Sequence, residues 1–208
     1  MSSYKNEQVH TTVSDAIDDA FAEFQALRDE MAENVSNMEN AGTGLENTAK
    51  FQATQEAHDT LDQFADNQPD VPDAAEGLAV SVHLQVQKRK GRGTSRAVRY
   101  SNAVALLEAA RDAVETAMDM SNTARRDAEL RADEHESDAE EHRADWVAGL
   151  HSNESEEAEQ SALNEAASAR REAEEHDSDA DALSTLFDEI DNVLGDASSE
   201  PEFPGMYG

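Results

Sequence analysis

Apolar residues recur at helical spacing along most of this chain. From Val13, the positions Ile17, Ala20, Phe24, Leu27, Met31, Val35 and Met38 follow in steps of three and four. That stripe predicts a helix over about 13–40, one face buried, with Phe21 widening the face. Thr12-Val13-Ser14-Asp15 is a capping box at its start, and Gly42 and Gly44 mark its end. A thinner stripe of Leu45, Ala49, Ala53, Ala57, Leu61 and Phe64 predicts a second helix over about 45–66. Pro69 and Pro72 then break the helical pattern.

The period changes after Gly77. Val80, Val82, Leu84 and Val86 alternate with Ser81, His83, Gln85 and Gln87, which predicts a strand. Residues 88–93 form a glycine-bearing turn. Thr94 to Tyr100 then either returns as a second strand, closing a β-hairpin, or runs as a loop into the next helix. Two long helices follow, over about 102–148 and 154–194, with Ser101 as the first N-cap and Gly195 as the final stop. Their facing positions are large at one end (Val114, Met118; Phe187, Ile190, Leu194). In the middle they are alanines: Ala128, Ala132 and Ala139 against Ala166, Ala169 and Ala173. A connection this short makes the two helices antiparallel neighbours.

The expected fold class is mainly α. It is an antiparallel helical bundle with a long projecting helical hairpin and a small β-hairpin or loop insert. The expected segments are a flexible arm (1–11), a helical pair (12–66), a linker with the basic hairpin or loop (67–100), the long helical hairpin (101–195) and an extended tail (196–208).

Composition qualifies this reading. Leu, Ile, Val and Phe total only 33 of 208 residues, a level that with high net charge usually accompanies disorder. Against this stand 35 alanines placed on the helical period. There is no cysteine, so thiolate chemistry and disulfides are excluded. No stretch is apolar enough for a membrane span, and residues 1–10 lack a secretory signal pattern.

Charge gives the chain its habitat. Forty-seven acids face 16 cations for a net −31, and the cations are 12 arginines and 4 lysines. Acids spread along the whole chain resemble the proteome of salt-in halophiles, where a Debye length of about 3 Å at molar salt silences like-charge repulsion. The one exception is residues 77–107, which hold no acid at all. Within them Lys88, Arg89, Lys90, Arg92, Arg96 and Arg99 place six of the 16 cations in a dozen positions. One reading has these cations meeting nucleic-acid phosphates. The other has them paired with acidic helices of this chain or a partner, which high salt favours because phosphate binding weakens steeply with salt.

Other chemistry is sparse. His135, Asp138 and His142 lie on adjacent turns of one helix face and are the only weak candidates for a metal site. No nucleophile elbow, phosphate loop or dinucleotide fingerprint occurs, and paired carboxylates are uninformative among so many acids. The tail carries Phe203, Met206 and Tyr207, aromatic and thioether anchors expected to dock in a neighbour's groove and to add nothing to the fold.

The expectation is a non-enzymatic assembly subunit of a halophilic archaeon or its virus, for example a virion connector or neck component. It needs no cofactor, has protein partners including copies of itself, touches no membrane, and works in a high-salt cytoplasm or virion. A nucleic-acid-binding protein acting through 88–99 is the first alternative. A His-rich helical metal-binding protein is the second.

Overall fold

The computed structural model describes residues 4–41, 44, 48–88, 93–147, 153–199 and 201–204. Among them the chain is mainly α with a small antiparallel sheet. The order is β1 (Tyr4–Thr12), α1 (Val13–Asn40), α2 (Ala49–Asp62), α3 (Asp73–Glu76), β2 (Ala79–Gln87), α4 (Arg96–Val147) and α5 (Asn153–Ala197). Two compact units result: Met1–Glu115 with Thr185–Gly208, and Thr116–Ser184.

The first unit holds the large side chains. The capping box at Thr12 forms as its sequence dictates: the hydroxyl accepts from the Asp15 N–H at 3.1 Å and donates to the Asp15 carboxylate at 2.9 Å. The α1 stripe is buried from Val13 through Ile17, Phe21, Phe24 and Leu27 to Met31. α2 packs on α1 and begins at a Thr48 cap that accepts from the Phe51 N–H at 3.2 Å. Phe24 sits edge-on to both Phe21 and Phe64, with ring centroids 6.0 and 5.0 Å away. The side chains of Arg28 and Gln25 on α1 hold the turn after α2, bonding Asp66 at 2.6 Å and the Ala65 carbonyl at 3.1 Å. Leu107 of α4 and Leu186, Ile190 and Val193 of α5 are buried in the same unit.

Four expectations change. Residues 4–12 are not a loose arm: they form β1 and pair antiparallel with β2, Val9 opposite Val82 and Asn6 opposite Gln85. Thr94 to Tyr100 is not a return strand, because α4 already starts at Arg96, and the Ser95 hydroxyl accepts from the Val98 N–H at 3.4 Å. The sheet is therefore closed by the N-terminal strand rather than by a hairpin turn. Nor does Gly195 stop the last helix, which continues to Ala197. A helical glycine costs up to about 1 kcal/mol. Here buried Val193 and Ala197 flank it, and the Tyr100 hydroxyl donates to the Ala197 carbonyl at 2.7 Å, satisfying one of the open carbonyls of the helix end. Finally, the tail packs on its own chain. Pro201 is buried, and the Phe203 ring lies 5.9 Å from that of Tyr100.

The second unit pairs α4 with α5 through small residues. Ala128, Ala132 and Ala139 on one helix, and Ala162, Ala166, Ala169, Ala173 and Ala180 on the other, are all buried. Their steps of three, four and seven make a coiled-coil seam. Ion pairs run along it: Arg125 to Asp177 at 3.4 Å, Arg131 to Glu172 at 3.0 Å, and Arg170 to Glu136 at 2.5 Å. Contacts that advance along α4 generally retreat along α5, so the helices are antiparallel, as the short connection requires.

Candidate contact surface

The start of α4 carries two of the six clustered cations. Arg96 and Arg99 are three positions apart and so share a helix face. Glu23 and Glu30 of α1 are seven apart and share one too. The two faces meet. Arg96 donates to Glu30 at 2.9 Å, while Arg99 bonds both Glu30 and Glu23. The arginine side chains are only 17% and 22% exposed, and each is turned to a carboxylate of α1. Burial by itself would raise the Glu30 carboxyl and lower the Arg99 guanidinium. The hydrogen bonds between them outweigh it, leaving Glu30 below the usual carboxylate range and Arg99 above its ordinary value.

Lys88 is exposed just past the end of β2. Arg89, Lys90 and Arg92 lie outside the described residues, as do Met206 and Tyr207. His135 approaches Glu165 of α5 at 3.3 Å, and Asp138 is exposed. Among the described residues, no three metal-ligating side chains converge there or elsewhere. A cleft of about 410 Å3 beside α1, β2 and α4 is lined by Asp19, Glu23, Leu84, Arg99 and Leu106 among others. Its Arg99 and Glu23 are spent on each other.

The tail aromatic has a structural role. Tyr100 is 2% exposed and touches Phe24, Phe203 and the end of α5 together. Removing 201–208 is therefore expected to weaken the fold rather than leave it unchanged. Phe203→Ala is expected to cost about 1 kcal/mol, because the ring is only half buried. A thermal melt at fixed salt measures this, and an unchanged melting temperature would return the ring to a purely external role.

What the sequence pattern missed is the sheet as a surface. β1 and β2 between them contain one lysine and one glutamate, Lys5 and Glu7, which pair at 2.8 Å. The face carrying Asn6, Gln8 and His10 with Ser81, His83 and Gln85 is exposed, polar and uncharged apart from histidine. On it His10 and Ser81, directly opposite, meet at 2.8 Å. The fold thus joins the acid-poor N-terminal segment to the acid-free segment 77–107, far apart in sequence. The signal available was residue type: Tyr4, Val9, Thr11 and Thr12 are strand formers.

The two edges of this sheet differ. Along β2, Asn102 of α4 reaches in like a short third strand, accepting from the Gln85 N–H at 2.9 Å and donating to its carbonyl at 3.0 Å. Along β1, Asn6 and Gln8 turn their backbone groups away from β2, and no other part of the described chain bonds them. The class these features define is a mainly α protein with a two-stranded sheet, one face of which carries no Lys, Arg, Asp or Glu. No protein family model, curated protein sequence or solved structure matches the chain, so its function is read from its own residues.

Proposed function

We propose that the chain is a non-enzymatic, self-assembling structural subunit adapted to high salt, built for a halophilic archaeon or its virus in the manner of a virion connector. The observation that carries this is the sheet. At molar salt the repulsion between two copies of a chain with net −31 is screened, but burying its hydrated carboxylates in an interface still costs free energy. Two copies approach at least cost where the local charge is near zero, and the fold brings its two acid-poor segments together at one such place. A catalytic reading has less support, since Arg99 and Glu23 of the cleft beside α1, β2 and α4 are already paired with each other.

Nucleic-acid binding through 88–99 is the second reading, and the pairing of Arg96 and Arg99 with α1 takes two of its six cations away. Native mass in about 2 M potassium chloride, with and without added duplex DNA, separates the two. A homo-oligomer unaffected by DNA is the expected result. A chain that stays monomeric at every concentration would overturn the proposal. One that carries DNA at this salt would favour the second reading.

A further inference from the structure

We infer that two copies join through the outer edge of β1, strand to strand about a two-fold axis at Asn6, merging their sheets into one four-stranded sheet. This rests on the self-assembly reading and names its joint.

Backbone direction comes first. The ladder continues past β1 into the bond from the Val13 N–H to the Leu78 carbonyl at 2.9 Å. Odd-numbered residues of β1 therefore exchange hydrogen bonds with β2, and Asn6 and Gln8 point theirs outward. The Asn102 bonds to Gln85, the partner of Asn6, confirm the alternation from the other side of the sheet. Asn6 is thus positioned to exchange both backbone bonds with Asn6 of a second copy. An edge of this kind, free of proline and bulge, is a template for strand addition.

Charge then chooses the register. Centred on Asn6, the pairing sets Lys5 directly opposite Glu7 of the second copy, and Glu7 opposite its Lys5. These fall at the non-hydrogen-bonded positions, where side chains approach most closely. Centred on Lys5 or on Glu7, the same edge would set like charges face to face. Centred on Gln8, it would leave Lys5 against Thr11 and Glu7 against Val9. Only the Asn6 centre lets the two charges of β1 pair across the axis as well as with each other; in the single chain they meet at 2.8 Å and stay 54% and 51% exposed. A two-fold interface must be self-complementary, and this edge is.

The test is the concentration dependence of mass in about 2 M potassium chloride for the full chain and three variants, with circular dichroism as the check on folding. Asn6→Pro removes only an outward N–H, which β1 does not use against β2. It is expected to weaken self-association roughly 30- to 100-fold with helicity unchanged. Glu7→Lys makes the chain less acidic, so net charge, largely screened at this salt, predicts unchanged or slightly tighter association. The register predicts the opposite, a loss of about tenfold, because Lys5 now faces a lysine. Lys5→Glu combined with Glu7→Lys restores opposite charges across the axis and is expected to restore wild-type association. If wild type associates and all three variants match it, the copies meet elsewhere and the edge proposal falls while the assembly reading stands. If wild type never associates, both fall.

Discussion

Dialysed from about 2 M potassium chloride to about 0.1 M, the protein is expected to lose most of its helical circular dichroism, with residues 116–184 melting first. The Debye length grows over this change from a few ångströms to about 10 Å, so charges on neighbouring turns begin to repel. Residues 116–184 carry 21 Asp and Glu against 6 Arg, a net −15. Their seam is mostly alanine, and a buried methyl contributes only about 0.8 kcal/mol. The other unit has Phe21, Phe24, Phe64, Ile17 and Leu107 to oppose the same repulsion. Amide hydrogen exchange at intermediate salt would show protection lost along the alanine seam while α1 and α2 stay protected. Helicity that survives at 0.1 M would sink the high-salt adaptation, and with it the habitat inferred from composition.

Local signals carried far in this sequence. The α1 stripe, its Thr12 cap and the alanine seam were legible because each depends on residues a few positions apart. The failures share the opposite cause. β1 has one large aliphatic residue, Val9, so it shows no apolar alternation; the valines that hold it belong to β2, some 70 positions away. The start of α4 at Arg96 is hidden because its first turn carries two arginines whose partners, Glu23 and Glu30, lie on α1. Their spacing of seven against the arginines' spacing of three was visible, but only the fold shows which helix faces which. Gly195 and Phe203 both depend on Tyr100, which lies about 100 positions away in the chain and so leaves no local signal. That residue closes the carbonyl end of α5 through its hydroxyl and seats the tail with its ring. The cluster 88–99 reads as one basic element, yet its last two members belong to a helix and lie half-buried against α1.

Arg99→Ala is expected to destabilise the fold by about 2–3 kcal/mol, against about 1 for Arg96→Ala. Arg99 bonds two carboxylates, and removing it leaves Glu23 unpaired and Glu30 with Arg96 alone. The figure stays below that for a fully buried pair because Glu30 is 38% exposed. The pH dependence has a definite sign. A carboxyl whose folded value lies below its unfolded one adds stability that is complete above the ordinary carboxylate range. That stability drains as pH falls through the depressed value. Burial pushes the Glu30 carboxyl up, but the arginine bonds pull it lower, so wild type retains this contribution into acid. Without Arg99 only Arg96 opposes the upward push of burial, and the loss begins at higher pH. Denaturant melts from about pH 7 to about pH 3 at constant molar salt, for wild type and Arg99→Ala, measure both effects. The gap between the two proteins should narrow as the carboxylates protonate. Equal stability at neutral pH, or a gap that does not change with pH, would mean that the arginines merely rest on α1. Arg96 and Arg99 would then return to the pool of cations available to a partner.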